Sequence, residues 1–238
     1  MTSDATETTD QQLVEVMAAT ERLLRTVDTL DDDALRELSL LPGWTRGHVL
    51  AHLSRNADSL VNLLLWARTG VETPQYASAF LRDSDIEEGA PRPLSEQRAD
   101  LVESTGRLVG LAQTLSVQQW NAEVRTRQGR PIPASQIPWM RWQELEIHHV
   151  DLNAGYSPSD WPADFVARIL PDVAADLGRS VTESFEIRSV DTGFTAVLGS
   201  GTPERTIAAP ASDLLAWLIG RGASADFPAA LPELPSWR

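Results

Sequence analysis

The chain has 238 residues, 42% of them hydrophobic, with eight tryptophans and a net charge of −14 from 34 acidic and 20 basic side chains. That length supplies one large domain or two small ones, and the acidity speaks against nucleic acid and against an anionic membrane surface as partners. There is no cysteine, so no disulfide framework is possible, and any thiol chemistry must use a thiol brought from outside.

The first residues are acidic and polar, without the basic and apolar stretches of a secretory signal. The longest apolar runs, such as residues 63–67, are far too short to span a bilayer, and a cytoplasmic location is expected. Residues 1–9 read as a loose tail. Over 11–30, Leu13, Met17, Leu24 and Val27 recur at helical spacing, with Val16 and Leu23 beside them. Asp31, Asp32 and Asp33 suit the start of a short helix, where acids meet the positive end of the dipole. Residues 41–45 form a turn, and Thr45 is a suitable N-cap for a helix that Gly70 ends. Its apolar stripe is Val49, Leu50, Leu53, Ala57, Leu60, Val61 and Leu64.

Residues 70–93 are polar and broken by Pro74, Gly89, Pro91 and Pro93, which predicts a long loop with a short helix near 77–81. Ser95 opens a third long helix to about residue 115, and 129–133 forms a second irregular loop. The central helix covers 139–152, with Pro138 before it and Gly155 after it. The expected fold class is α+β: a four-helix bundle over 1–158 and a small α+β domain over 159–238. The second part predicts a helix over 163–177, strands over 184–190 and 194–199 joined by a hairpin turn, a third strand over 205–208, and a last helix over 212–219.

On the central helix, at about 100° per residue, Met140 and Ile147 fall on one flank of an apolar arc, with Trp142, Leu145 and Leu152 on the other. Glu144 and His148 lie between the flanks, one turn apart, and therefore point inward. Burying a carboxylate and an imidazole is costly unless something pairs with them. They pair with each other, or both hold a cation. The other histidines are His48, His52 and His149. His52 sits at the margin of its helix's apolar stripe, His48 lies further toward the polar side, and His149 sits beside Trp142. One inward histidine from the earlier helix can meet Glu144 and His148 across a bundle interior. His, Glu and His suit a divalent metal, zinc above all, and three protein ligands leave a fourth position open. Spacing leaves that reading and a buried Glu–His pair both open. Asp151 shares the face of Glu144 and His148 and is placed to orient a ligand or to pair locally.

The stretch from Leu41 to Leu53 contains Pro42-Gly43-Trp44-Thr45 and Leu50-Ala51-His52-Leu53. It resembles the corresponding motifs of the DinB-like four-helix metalloproteins. Glu144-Leu145-Glu146-Ile147-His148-His149-Val150-Asp151 resembles the second metal motif of their mycothiol-dependent branch, and residues 211–221 resemble that branch's C-terminal domain. The similarity is greatest to the maleylpyruvate isomerases of that branch. The resemblance implies a zinc or other divalent ion held by His52, Glu144 and His148, and mycothiol as thiol cosubstrate. It further implies cis–trans isomerisation of maleylpyruvate to fumarylpyruvate in gentisate degradation, by reversible addition of a zinc-bound thiolate. It singles out Arg221 as an active-site arginine for a substrate carboxylate or a developing enolate; a plain role at the helix end is the alternative. A monomer is expected. Two other functions stay open on the same residues: a mycothiol S-transferase acting on electrophiles, and a binding module whose Glu–His site is structural.

Overall fold

The computed structural model describes residues 2–222, 227 and 231–237, with side chains from Thr9 onward. The chain divides into two compact units, Met1–Tyr156 and Ser157–Arg238. The first contains helices α1 (Thr2–Val27), α2 (Arg46–Thr69), α3 (Ala79–Gly89), α4 (Leu94–Ala112), α5 (Val117–Trp120) and α6 (Ile137–Asp151). A short hairpin of β1 (Glu123–Arg125) and β2 (Pro131–Pro133) lies between α5 and α6. The four long helices α1, α2, α4 and α6 make the bundle, with α2 packed against both α4 and α6 and α1 against α6.

Helix α1 begins at Thr2, so the expected loose tail is helical. Its buried positions are Leu13, Val16, Ala19, Leu23 and Val27, while Met17 is 38% exposed. The buried face is therefore rotated from the Met17–Leu24 line toward Val16 and Leu23. The apolar residues fit either line by spacing, and contact with α6 selects one. Helix α2 has its expected cap at Thr45 and ends at Gly70 with φ 73°, a left-handed position that glycine adopts without strain.

Residues 79–89 form a full helix, longer than the short helix expected at 77–81. Ser78 caps it by accepting from the Leu81 amide at 3.1 Å. Its end packs closely on α2. A Cβ at Gly47 would lie 2.2 Å from the Ala90 carbonyl oxygen, and one at Gly89 would lie 2.9 Å from the Ala51 Cβ. The region 129–133, expected as irregular, pairs as the β1–β2 hairpin, with Val124 opposite Ile132. Those two residues, with Trp120 and Ile137, pack on Leu60, Leu63, Leu64 and Leu108 and close one end of the bundle core. His52 and His148 lie toward the other end, because α2 and α6 run antiparallel.

The second unit holds α7 (Ala163–Gly178), β3 (Phe185–Ser189), β4 (Thr195–Leu198), β5 (Thr206–Ala209) and α8 (Ala211–Leu218). Its sheet order is β4-β3-β5, with β3 and β4 an antiparallel hairpin and β3 and β5 parallel. Phe165, Ile169, Val173, Phe185, Ile187, Ile207, Leu214 and Leu218 are buried and form its apolar interior. The architecture is thus α+β, a helical N-terminal region followed by a strand-containing one. No helix among the described residues is long and apolar enough to cross a membrane.

Candidate metal centre

Three donor atoms meet between α2 and α6. His52 Nε2 lies 3.0 Å from Glu144 Oε2 and 3.2 Å from His148 Nε2, and His148 Nε2 lies 3.3 Å from the same carboxylate oxygen. Ligands at about 2.0–2.1 Å from a tetrahedral zinc are separated by about 3.3 Å along each edge. The observed triangle matches one face of such a tetrahedron, and the donor set of two imidazoles and a carboxylate suits a divalent ion. Among the described residues this is the one cluster of histidine and acidic side chains with that arrangement. His52 is buried, whereas the Glu144 side chain is 33% exposed and His148 16%. The exposure leaves the triangle reachable from solvent on the Glu144 side.

Local structure aims each donor. Arg46, the first residue of α2, donates from Nε to the Leu152 carbonyl at 3.0 Å and from Nη2 to the Asn153 carbonyl at 2.6 Å. It thereby ties the start of α2 to the end of α6 and supplies the cation that suits a helix C-terminus. Arg141, fully buried on α6, donates from Nη1 to the Leu53 carbonyl at 2.7 Å and to Asn56 Oδ1 at 2.9 Å. Burial lowers its pKa to about 10, against the opposing pull of Glu144, so it remains charged at neutral pH. These two arginines fix the separation of the helices one residue and six residues from His52. Trp44 adds a ring 5.5 Å from the His52 ring.

The two histidines differ in protonation. Burial pushes the His52 pKa down to about 4, partly offset by Glu144, so its ring is neutral at ordinary pH. His148 differs: burial alone would lower it, but Asp151 and Glu144 outweigh that and raise it to about 9. Its Nδ1 donates to Asp151 Oδ2 at 2.8 Å, which holds the ring's second nitrogen toward the donor triangle. Burial works against the Glu144 charge, yet the two histidines hold its carboxyl well below the usual range.

The remaining candidates separate cleanly. His48 Nδ1 accepts from the Thr45 amide at 3.1 Å and closes the capping box of α2, outside the triangle. His149 is buried against α1, with Nε2 2.8 Å from Thr26 Oγ1 and its ring stacked 3.7 Å from Tyr156. Glu146, also buried, accepts from Trp142 Nε1 at 3.0 Å and Tyr156 Oη at 2.6 Å and pairs with Arg22. Arg221 follows α8, where its amide donates to the Ala216 carbonyl at 2.7 Å and its Nη1 to the Ile219 carbonyl at 2.8 Å. Gly220, with φ 73°, makes that a left-handed helix ending. Arg82 of α3 was not legible as a site residue: its Nη2 lies 3.4 Å from His52 Nδ1. The only cue was Ser78 as a cap four residues before it, hidden in a proline-broken stretch.

A family model described as "Mycothiol maleylpyruvate isomerase N-terminal domain" matches residues 16–153. No protein of curated function matches the chain by sequence. Two solved structures are similar over 96% of this chain and 97% of theirs, at 30% identity and a TM-score of 0.89: crystal structures of the mycothiol-dependent maleylpyruvate isomerase and of its H52A mutant. With the family match over more than half the chain and the structural match over nearly all of it, the chain belongs to the mycothiol-dependent maleylpyruvate isomerase family.

Proposed function

We propose that this protein converts maleylpyruvate to fumarylpyruvate with mycothiol as thiol cosubstrate. The observation that carries the reading is the donor triangle of His52, Glu144 and His148, in a chain of that family that has no thiol of its own. Those three residues would hold a divalent ion, and an ion there supplies the positive charge that lowers the pKa of a thiol. Zinc as that ion, gentisate degradation as the setting, the cytoplasm as compartment and a monomeric state belong to the same proposal, as does the division into a metal-binding domain over 1–158 and an α+β domain over 159–238.

The chain's own residues prepare the site. Asp151 keeps a proton on His148 Nδ1, so that Nε2 is the nitrogen turned to the triangle. Glu144 supplies a negative ligand whose proton affinity is suppressed by its neighbours. The covalent chemistry belongs to the thiolate and the substrate. The thiolate adds to the alkene carbon β to the ketone, forming a carbon–sulfur bond and moving the π electrons onto the ketone oxygen. The former double bond is then single and rotates. Collapse of the enolate re-forms the double bond in the trans geometry and expels the thiolate. Resemblance assigns Arg221 to a substrate carboxylate or to that enolate oxygen.

The test is dialysed, zinc-loaded protein with maleylpyruvate, with and without mycothiol. Isomerisation should require mycothiol and leave it unconsumed. Turnover with no thiol added would sink the mechanism, and stoichiometric loss of mycothiol would mark an S-transferase instead.

A further inference from the structure

We propose that Arg82 binds a carboxylate of the substrate beside the metal centre. The identity of the anion rests on the isomerase reading above, and the site rests on geometry. Arg82 lies in α3, its side chain 16% exposed. One edge of its guanidinium is anchored, with Nη1 2.6 Å from Asp83 Oδ1 and the group 5.8 Å from the centre of the Tyr76 ring. The other edge reaches the metal centre, where Nη2 lies 3.4 Å from His52 Nδ1.

That contact is unusual in kind. A metal-holding histidine ordinarily turns its second nitrogen toward an acceptor, as His148 does toward Asp151. His52 turns its second nitrogen toward a cation. A neutral ring that offers the Nε2 lone pair as ligand carries its hydrogen on Nδ1. A guanidinium has donors and no acceptor. With an ion on Nε2, two donors would therefore face each other at this 3.4 Å spacing, and neither would satisfy the other. One carboxylate oxygen placed between them accepts from both. The competing anion, Asp83, is 66% exposed, and water screens an exposed pair strongly. A dicarboxylate approaching a protein of net charge −14 also needs a local cation, and Arg82 supplies one next to a ligand ring.

The experiment uses maleate, which reproduces the cis alkene carboxylate of the substrate. It is titrated calorimetrically into zinc-loaded wild type, Arg82→Gln and Arg82→Lys, with zinc content measured on each. The wild type should bind maleate, Arg82→Gln should weaken it about tenfold or more, and Arg82→Lys should rescue only in part, because an ammonium lacks the planar fork. Zinc content should be the same in all three. In turnover, the KM for maleylpyruvate should rise in Arg82→Gln by a similar factor. Maleate binding within twofold of wild type in Arg82→Gln, no binding by the wild type, or loss of zinc from Arg82→Gln would each overturn the proposal. Arg82-dependent maleate binding without isomerisation would refute the isomerase reading and leave the carboxylate site standing. Unchanged KM in an active Arg82→Gln enzyme would do the reverse.

Discussion

His148 is held by two carboxylates at once, Asp151 on Nδ1 and Glu144 on Nε2. A metal ion competes with a proton for the second position, and the competition is measurable. The His148 pKa is raised from 6.5 to about 9 without metal. A raised imidazole contributes stability that is complete below about pH 6.5 and lost as pH climbs through about 9. Glu144, held well below 4.5, contributes above that pH and loses the contribution on acidification. His52, lowered to about 4, costs stability as pH falls below about 6.5, because the unfolded ring then takes a proton that the folded one refuses; the metal-free protein should therefore melt highest near pH 6.5. Zinc uptake at pH 7 should release about one proton per ion, read from calorimetric titrations in buffers of different ionisation enthalpy. Zero release would mean that His148 is neutral in the metal-free protein. Replacing His52, Glu144 or His148 with alanine should strip most of the zinc. His48→Ala should cost about 1 kcal/mol of helix capping and keep the metal. His149→Ala should also keep it. Full zinc occupancy in His52→Ala would dismiss the ligand set.

Among the elements, the close approach of α2 and α3 has the largest consequence for the site. Gly47 lies against the Ala90 carbonyl, and Gln97 Nε2 donates to that same oxygen at 2.9 Å. Helix α2 carries His52 five residues after Gly47, and α3 carries Arg82 eight residues before Ala90. A methyl group at Gly47 must displace backbone, so Gly47→Ala should destabilise by about 1–3 kcal/mol, measured by denaturant unfolding. It should also disturb the Arg82–His52 spacing, lowering turnover at temperatures where the protein is still folded. Gly106→Ala is the control: a Cβ there meets nothing within 4 Å, and it should be neutral or stabilising within the helix.

For the whole molecule, Arg221 is the proposed contribution of the C-terminal unit to turnover. Its amide and guanidinium both bond carbonyls at the end of α8, so a helix-ending role is already present. If that were its whole use, Arg221→Ala would cost about 1 kcal/mol or less and spare activity. As the residue that holds a carboxylate or enolate, it should lose two or more orders of magnitude of turnover when replaced, as for an oxyanion donor, with zinc content and Tm near wild type. Arg221→Lys should recover little, since one ammonium does not reproduce paired hydrogen bonds. Near-normal turnover in Arg221→Ala would refute the assignment.

The sequence by itself determined the elements whose signals are local. The Thr45 cap, the Gly70 stop and the hairpin of the second unit are written in neighbouring residues. The inward phase of Glu144 and His148 follows from a period of 3.6, which needs no partner to be read. Tertiary structure decided what depends on residues far apart in the chain. Which histidine of the first cluster completes the triangle depends on how α2 lies against α6, 92 residues away. The burial of Arg141 and Glu146 on nearly all sides of α6 came from two neighbouring helices at once, a situation a single apolar stripe does not encode. Arg82 was illegible for the same reason. Its stretch is polar and proline-broken, so no apolar period marks a helix there. Close packing at Gly47 and Gly89 helps to hold that helix where its arginine meets His52.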